Sequence, residues 1–196
     1  MSRPEDDVEG GDLKKDLEYF HSIPWTRTLL SNPDYVVLPT PSREPKQSTE
    51  DAMFAETLKT HNTVRAWLTL RKKFSSSDGP VTELRFLLSL GYAVNGWPHV
   101  MHGGVTAFIM DEAMGTLMQL NAHTGNLGAR DVFTAYLKTD YRRPIPTPSV
   151  VMAKAWLKRS EGRKTWVEAV IENEKGDVMA TGEGLWVQPR ELMAKI

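Results

Sequence analysis

His99-Val100-Met101-His102-Gly103-Gly104 runs directly into Val105-Thr106-Ala107-Phe108-Ile109-Met110-Asp111-Glu112-Ala113-Met114-Gly115-Thr116-Leu117-Met118. Two glycines let the backbone turn or come close to another group, and the stretch after them has no proline and is rich in residues that accept a helix. It is apolar nearly all round, the pattern of a helix buried on every side. Between Gly104 and Met118 only Asp111 and Glu112 carry charge. Burying a carboxylate is costly unless it is hydrogen-bonded or useful, so Asp111 is a candidate for chemistry. Gly103 and Gly104 would offer free N–H groups at the helix start, where the dipole favours a developing negative charge.

Downstream of the helix, His123 to Gly128 reads as a turn-rich break. Four strand signals follow, at Val132 to Tyr141, Val150 to Lys158, Thr165 to Glu172 and Val178 to Gln188. Glu161-Gly162-Arg163 and Glu174-Lys175-Gly176-Asp177 are tight connections, so the last strands read as an antiparallel meander and the class as α+β. Upstream, Leu84 to Tyr92 is apolar enough for a buried strand, and Asn95-Gly96-Trp97-Pro98 turns the chain into the glycine motif. Val64 to Arg71 fits helix or strand by periodicity, Phe54 to Leu58 is a short strand candidate, and Ser75 to Pro80 is a loop.

The first 50 residues form an extension, with residues 51–196 as the main domain. Met1 to Gly11 is acidic, contains glycine and is expected to be disordered. Leu13, Leu17 and Phe20 predict a helix over Asp12 to His21 with Asp12 as N-cap, stopped by Pro24. Trp25, Leu29, Leu30 and Tyr35 suggest a segment laid against the body, and Pro39 to Pro45 reads as a linker.

Composition narrows the function. The net charge is −1, which makes no case for nucleic acid or for an acidic membrane surface. With no cysteine, disulfides, thiol catalysis and cysteine-bound zinc are excluded. The acidic start is unlike a secretory or mitochondrial leader, and no apolar run approaches the ~20 residues of a membrane span. A soluble cytoplasmic protein without stable membrane insertion is the expectation.

His102-Gly103-Gly104, followed by an apolar helix with Asp111 nine residues after the histidine, resembles the hotdog-fold acyl-CoA thioesterases of the phenylacetate-pathway type and their animal relatives. Val132-Phe133-Thr134-Ala135-Tyr136-Leu137 leading to Tyr141-Arg142-Arg143-Pro144-Ile145-Pro146 is similar to the same family. The resemblance runs from about Met53 to Pro189. It implies a hotdog fold, a long central helix across a curved antiparallel sheet, and a dimer with two sites at the subunit interface. It also implies an acyl-CoA substrate, no cofactor and no metal, although His99, His102 and Asp111 are residue types that can bind one.

Carried over residue by residue, the resemblance makes Asp111 a base or nucleophile; the bland alternative is a buried carboxylate that caps amides or pairs with an arginine. Glu112, about 100° around the helix, reads as a structural or interface residue. His102 positions the thioester carbonyl, carries a proton or shapes the loop. Gly103 and Gly104 supply the oxyanion N–H, and Thr134 helps hold the attacking water. Asn95 sits seven residues before His102, where some family members have an asparagine six before, so its carbonyl-holding role rests on a looser match. Arg142 and Arg143, with Arg159, Arg163 and Lys164, are candidates for the phosphates of coenzyme A or plain solvated charges. Gly182 and Gly184 read as a bulge or close packing.

Spacing adds a constraint of its own. Gly103 and Asp111 lie eight positions apart, ~12 Å along a helix, yet both must reach one carbonyl carbon. Two helices in a two-fold homodimer, or in a pair of such dimers, meet that condition. The alternatives to a hydrolase are a non-catalytic acyl-CoA or lipid-binding hotdog protein and a hotdog hydratase or dehydratase.

Overall fold

A computed structural model describes residues 6–73 (side chains from 12), 79–123 and 132–190. Helices α1 (Asp6–His21) and α2 (Pro24–Leu30) lead to strand β1 (Tyr35–Leu38). After two short helical turns come β2 (Val64–Lys72), β3 (Glu83–Leu90), the small hairpin β4 (Asn95–Trp97) and β5 (Val100–Met101), and the long helix α3 (Gly103–His123). Strands β6 (Phe133–Tyr141), β7 (Ser149–Glu161), β8 (Lys164–Glu172) and β9 (Val178–Val187) follow. Seven strands make one antiparallel sheet in the order β1-β2-β3-β7-β8-β9-β6. The α+β class and the long helix against an antiparallel sheet are as expected.

The four final strands are not a simple meander. β7, β8 and β9 run on through tight turns at Gly162 and Gly176, both at positive φ. β6, however, pairs with β9, and β7 crosses to pair with β3. The connection from β6 to β7 is held by the small hairpin, with the Met101 N–H donating to the Ile145 carbonyl at 2.9 Å. β6 therefore ends up on the open edge of the sheet, beside the start of α3.

The sheet is covered on both faces, which explains why periodicity left β2 undecided. On β3, Leu84, Phe86, Leu88 and Leu90 face the core under α3, while Leu87 joins the core under α1 and α2. On β2, Trp67 faces α3 while Ala66, Leu68 and Leu70 face the N-terminal helices. A strand buried on both faces loses its alternation.

The extension departs from expectation in two places, and the start of the main domain in one. α1 starts at Asp6, six residues before its predicted N-cap, and Asp12 lies inside the helix, paired with Lys59 at 2.9 Å. An acidic, glycine-containing stretch is thus helical from Asp6 on, where disorder was expected. Pro24 does end the first helix, and as the first residue of α2 it also starts the second, where its missing N–H costs nothing. The proline-rich linker is a buried turn, with Thr40, Ser42 and Arg43 all buried. Phe54 to Leu58, expected as a short strand, falls instead in and just after a wide helical turn, Met53–Thr57, that packs Phe54 on Trp67 and Phe108.

α3 itself is buried along one face, not all round. Ile109, Met110, Ala113, Met114, Leu117 and Met118 are fully buried against the sheet, while Phe108, Asp111 and Gly115, on the opposite face, remain partly open. The approach of α3 to β9 depends on glycine. A Cβ on Gly182 would lie 3.0 Å from the Met114 methyl, and one on Gly184 would overlap the Trp186 ring. The close-packing reading of these glycines holds, and no bulge occurs there. Of the predicted turn at His123 to Gly128, His123 closes α3 and the rest lies outside the described residues, as does the first part of the Ser75 to Pro80 loop.

Candidate active site

The carboxylate of Asp111 is half-buried on the open side of α3, and the Thr134 hydroxyl of β6 donates to its Oδ1 at 3.1 Å. Burial raises the pKa of Asp111 above the ordinary value of 3.8, and the Thr134 bond works against that rise. No arginine or lysine pairs with Asp111 among the described residues, so the structural-ion-pair alternative finds no support there.

A break in the strand brings Thr134 to Asp111. Register between β6 and β9 shifts between Thr134 and Tyr136, leaving Ala135 as an extra, bulged residue. In a regular strand that kept all three residues, Thr134 and Tyr136 would share a face. With it, Thr134 joins Leu137 and Tyr141 on the helix side, while Tyr136 turns outward to donate to Glu183 at 2.8 Å.

Eight positions away, the first turn of α3 is organised around His102. Its backbone N–H donates to the Val94 carbonyl at 2.8 Å, and its own carbonyl accepts from the N–H groups of Val105 (3.0 Å) and Thr106 (3.1 Å). The ring Nδ1 accepts the Gly104 N–H at 2.8 Å. Gly104 is thus already committed, and of the two glycines only Gly103 keeps an N–H without an acceptor among the described residues. That N–H belongs to the peptide whose carbonyl accepts from two amides, which polarises it as a donor. The expectation of an oxyanion donor at Gly103 or Gly104 narrows to Gly103.

Glycine is needed around this histidine. A Cβ on Gly96 would come within 2.7 Å of the imidazole Cδ2, and one on Gly104 within 3.0 Å of Nδ1. Asn95 stands across the small hairpin from Met101, beside His102, and its Oδ1 accepts from the Thr147 hydroxyl. Its amide N–H groups are what it can offer a substrate. Tyr141, not singled out as a site residue from sequence, donates its hydroxyl to the Gly103 carbonyl at 2.9 Å.

A cleft of about 370 Å³ opens beside Gly103, lined by Met101, Thr106, Tyr141, Ile145 and Met179, with Arg142 and Arg143 at its rim. Arg143 pairs with Asp177 at 2.7 Å and Arg142 lies 4.0 Å from Asp140; both are exposed and free to exchange these partners for phosphate. Arg159 and Arg163 are engaged elsewhere, on Glu161 and the Trp166 ring, and on the Gln188 carbonyl. No group of histidine or acidic side chains among the described residues is arranged to hold a metal. No helix among them is long and apolar enough to cross a membrane.

Glu112 turns to the other side of Asp111, toward the N-terminal segment, and burial raises its pKa. Near it lies the buried Arg43, which donates to the carbonyls of Phe54 (3.2 Å), Leu58 (3.3 Å) and Val64 (2.9 Å) and whose pKa burial lowers to about 10. Arg43 escaped sequence reading because the prolines around it signal a linker.

A helix-borne carboxylate thus faces a strand hydroxyl, with a glycine amide at the start of the same helix. Residues 99–180 match the sequence model of the Thioesterase superfamily. The Verlamelin biosynthesis protein B of Lecanicillium sp is 23% identical over 89% of this chain and 88% of its own length. The Acyl-coenzyme A thioesterase THEM4 of Rattus norvegicus is 36% identical over 42% of this chain, a match that spans only 33% of the rat protein. A crystal structure of a thioesterase superfamily protein superposes with a TM-score of 0.50 at 29% identity, covering 62% of this chain and 56% of the other. The family resemblance and the hotdog fold read from sequence are borne out as a likeness: residues 99–180 match the Thioesterase superfamily model, and the solved thioesterase-superfamily structure shares the fold.

Proposed function

We propose that this chain hydrolyses an acyl-CoA thioester to a free acid and coenzyme A, at sites shared between two copies of the chain. The observation that carries the reading is the bond between Thr134 and Asp111 on the open face of α3. It pairs a carboxylate of raised pKa with a hydroxyl whose lone pair can still accept a water proton. In this reading a water held by both loses a proton to Asp111 as its oxygen attacks the acyl carbon. The carbonyl oxygen becomes an oxyanion that accepts from the Gly103 N–H. Collapse breaks the C–S bond, and the leaving thiolate takes the proton back from Asp111. Direct attack by Asp111, passing through an anhydride, uses the same residues.

The Gly103 amide that serves this carbon comes from the second copy. Within one chain Gly103 and Asp111 are ~12 Å apart along α3, too far for both to reach one carbon. β6 supports the pairing: it is an edge strand of nine residues with Phe133, Tyr136 and Tyr141 exposed, a form that natural proteins cover or pair. A homodimer, or two such dimers together, is the working form. His102 and Asn95 bind near the carbonyl, and Arg142 and Arg143 at the rim of the cleft meet the phosphates. Incubating the protein with a panel of acyl-CoAs and a thiol reagent tests the reading. Thiol release with the unaltered chain and its loss with Asp111→Asn are expected; a chain that binds acyl-CoA but releases no thiol from any of them overturns it.

A further inference from the structure

We propose that Tyr141 is a positioning residue that sets the proton on the His102 imidazole through the Gly103–Gly104 peptide. Tyr141 Oη donates to the Gly103 carbonyl at 2.9 Å. That carbonyl belongs to the same peptide unit as the Gly104 N–H, which donates to His102 Nδ1 at 2.8 Å. Pulling charge onto a peptide oxygen makes its N–H a better donor, so the two bonds reinforce each other. An Nδ1 that accepts cannot carry the proton of a neutral imidazole, which places it on Nε2.

No carboxylate bonds to this ring among the described residues. The orientation that an acid gives many functional histidines comes here from backbone, and Tyr141 is the side chain that tightens it. The geometry is built for this. β6 delivers Tyr141 over the first turn of α3, where its ring lies 3.4 Å from where a Cβ on Gly103 would stand. The glycines at 96 and 104 leave room for the imidazole in this orientation and little else. His102 is exposed, so its Nε2–H is available to an acceptor such as a carbonyl or phosphate oxygen. His102 then acts as a neutral donor, not as a base.

The kinetic consequence rests on the proposed hydrolysis, but the tautomer does not, and the two can be read separately. Nitrogen-15 NMR of the full-length protein, with His102→Gln to assign the ring signals, is expected to show a neutral His102 protonated at Nε2. Tyr141→Phe keeps the ring and removes the hydroxyl. It is expected to mix the two tautomers and to lower kcat for acyl-CoA roughly three- to tenfold at unchanged KM, as for loss of one supporting hydrogen bond. Placing 3-fluorotyrosine at 141, a stronger donor, is expected to shift the nitrogen signals the opposite way. A wild-type His102 protonated at Nδ1, or a Tyr141→Phe protein with the wild-type tautomer population, overturns the proposal. Absence of hydrolysis by the wild-type protein with the expected tautomers and their expected shift would instead count against the proposed function alone.

Discussion

Asp111 must be ionised to take a proton from water, and its burial makes ionisation harder. The rise of kcat/KM with pH is therefore expected to have its midpoint above 3.8, the ordinary value for an aspartate. Thr134→Val removes the one hydrogen bond that opposes the shift, so the midpoint is expected to move further up while turnover falls. A pH–rate profile of both proteins checks this, and an unmoved or lowered midpoint speaks against the pairing. Asp111→Asn is expected to lower hydrolysis by roughly 10²–10⁴-fold with acyl-CoA binding retained. The neighbouring Glu112 makes a different prediction. Its folded pKa is raised, so the folded state holds the proton to higher pH than the unfolded chain, and ionisation opposes folding. The cost is absent well below about pH 4 and grows as pH rises through the raised value. Glu112→Gln is expected to flatten the fall in stability over that range in urea titrations. Asp111 and Thr134 were legible because charge in an apolar helix and a family motif both mark them. Tyr141 and Arg43 were not, since their roles lie in contacts with residues 38 and up to 21 positions away.

At the level of elements, the strand carrying Thr134 works through one extra residue. Deleting Ala135 should restore regular pleating while keeping Thr134 opposite Trp186, on the same face as Asp111, because Thr134 then directly precedes the outward-facing Tyr136. Turnover is then expected to stay far above that of Thr134→Val, with circular dichroism unchanged; a fall as large as in Thr134→Val would mean that the bulge itself, and not the face Thr134 occupies, sets the contact. Nothing in Phe133-Thr134-Ala135-Tyr136 marks the bulge in sequence, because its cause is the pairing with β9. The glycines of β9 were legible as close-packing sites, and Gly184→Ala is expected to destabilise the protein by ~1–3 kcal/mol, as overpacking of a tight core does. Thermal unfolding measures it. The reading of α3 as buried all round went too far for a related reason. Ala107, Phe108 and Gly115 are apolar yet only partly buried among the described residues, and in the proposed dimer a second copy would cover them.

For the whole molecule, sequence reading placed the extension against the body but missed how firmly it is tied. Asp16 accepts the Trp67 N–H at 3.1 Å, Lys59 bridges Asp12 and the Arg43 carbonyl, and the apolar outer face of β2 lies under Phe20. Such long-range ties leave no local pattern to read. On the opposite side the described residues leave an open strand edge, a half-covered helix and a carboxylate ~12 Å along α3 from the Gly103 amide, the features on which the proposed shared site rests. Subunit exchange tests it most directly. Asp111→Asn disables one half of each site. Gly103→Pro disables the other, because proline suits the first position of a helix while removing the one free N–H, and position 103 has ordinary room for a Cβ. Each homodimer alone should be inactive. After mixing and exchange in equal amounts, half of the dimers should be mixed, each with one intact site and one doubly damaged, so activity should return to about a quarter of the wild-type level. If exchange is confirmed by mass spectrometry and activity stays at the level of the separate variants, Asp111 and Gly103 of the same chain serve one site and the account is contradicted.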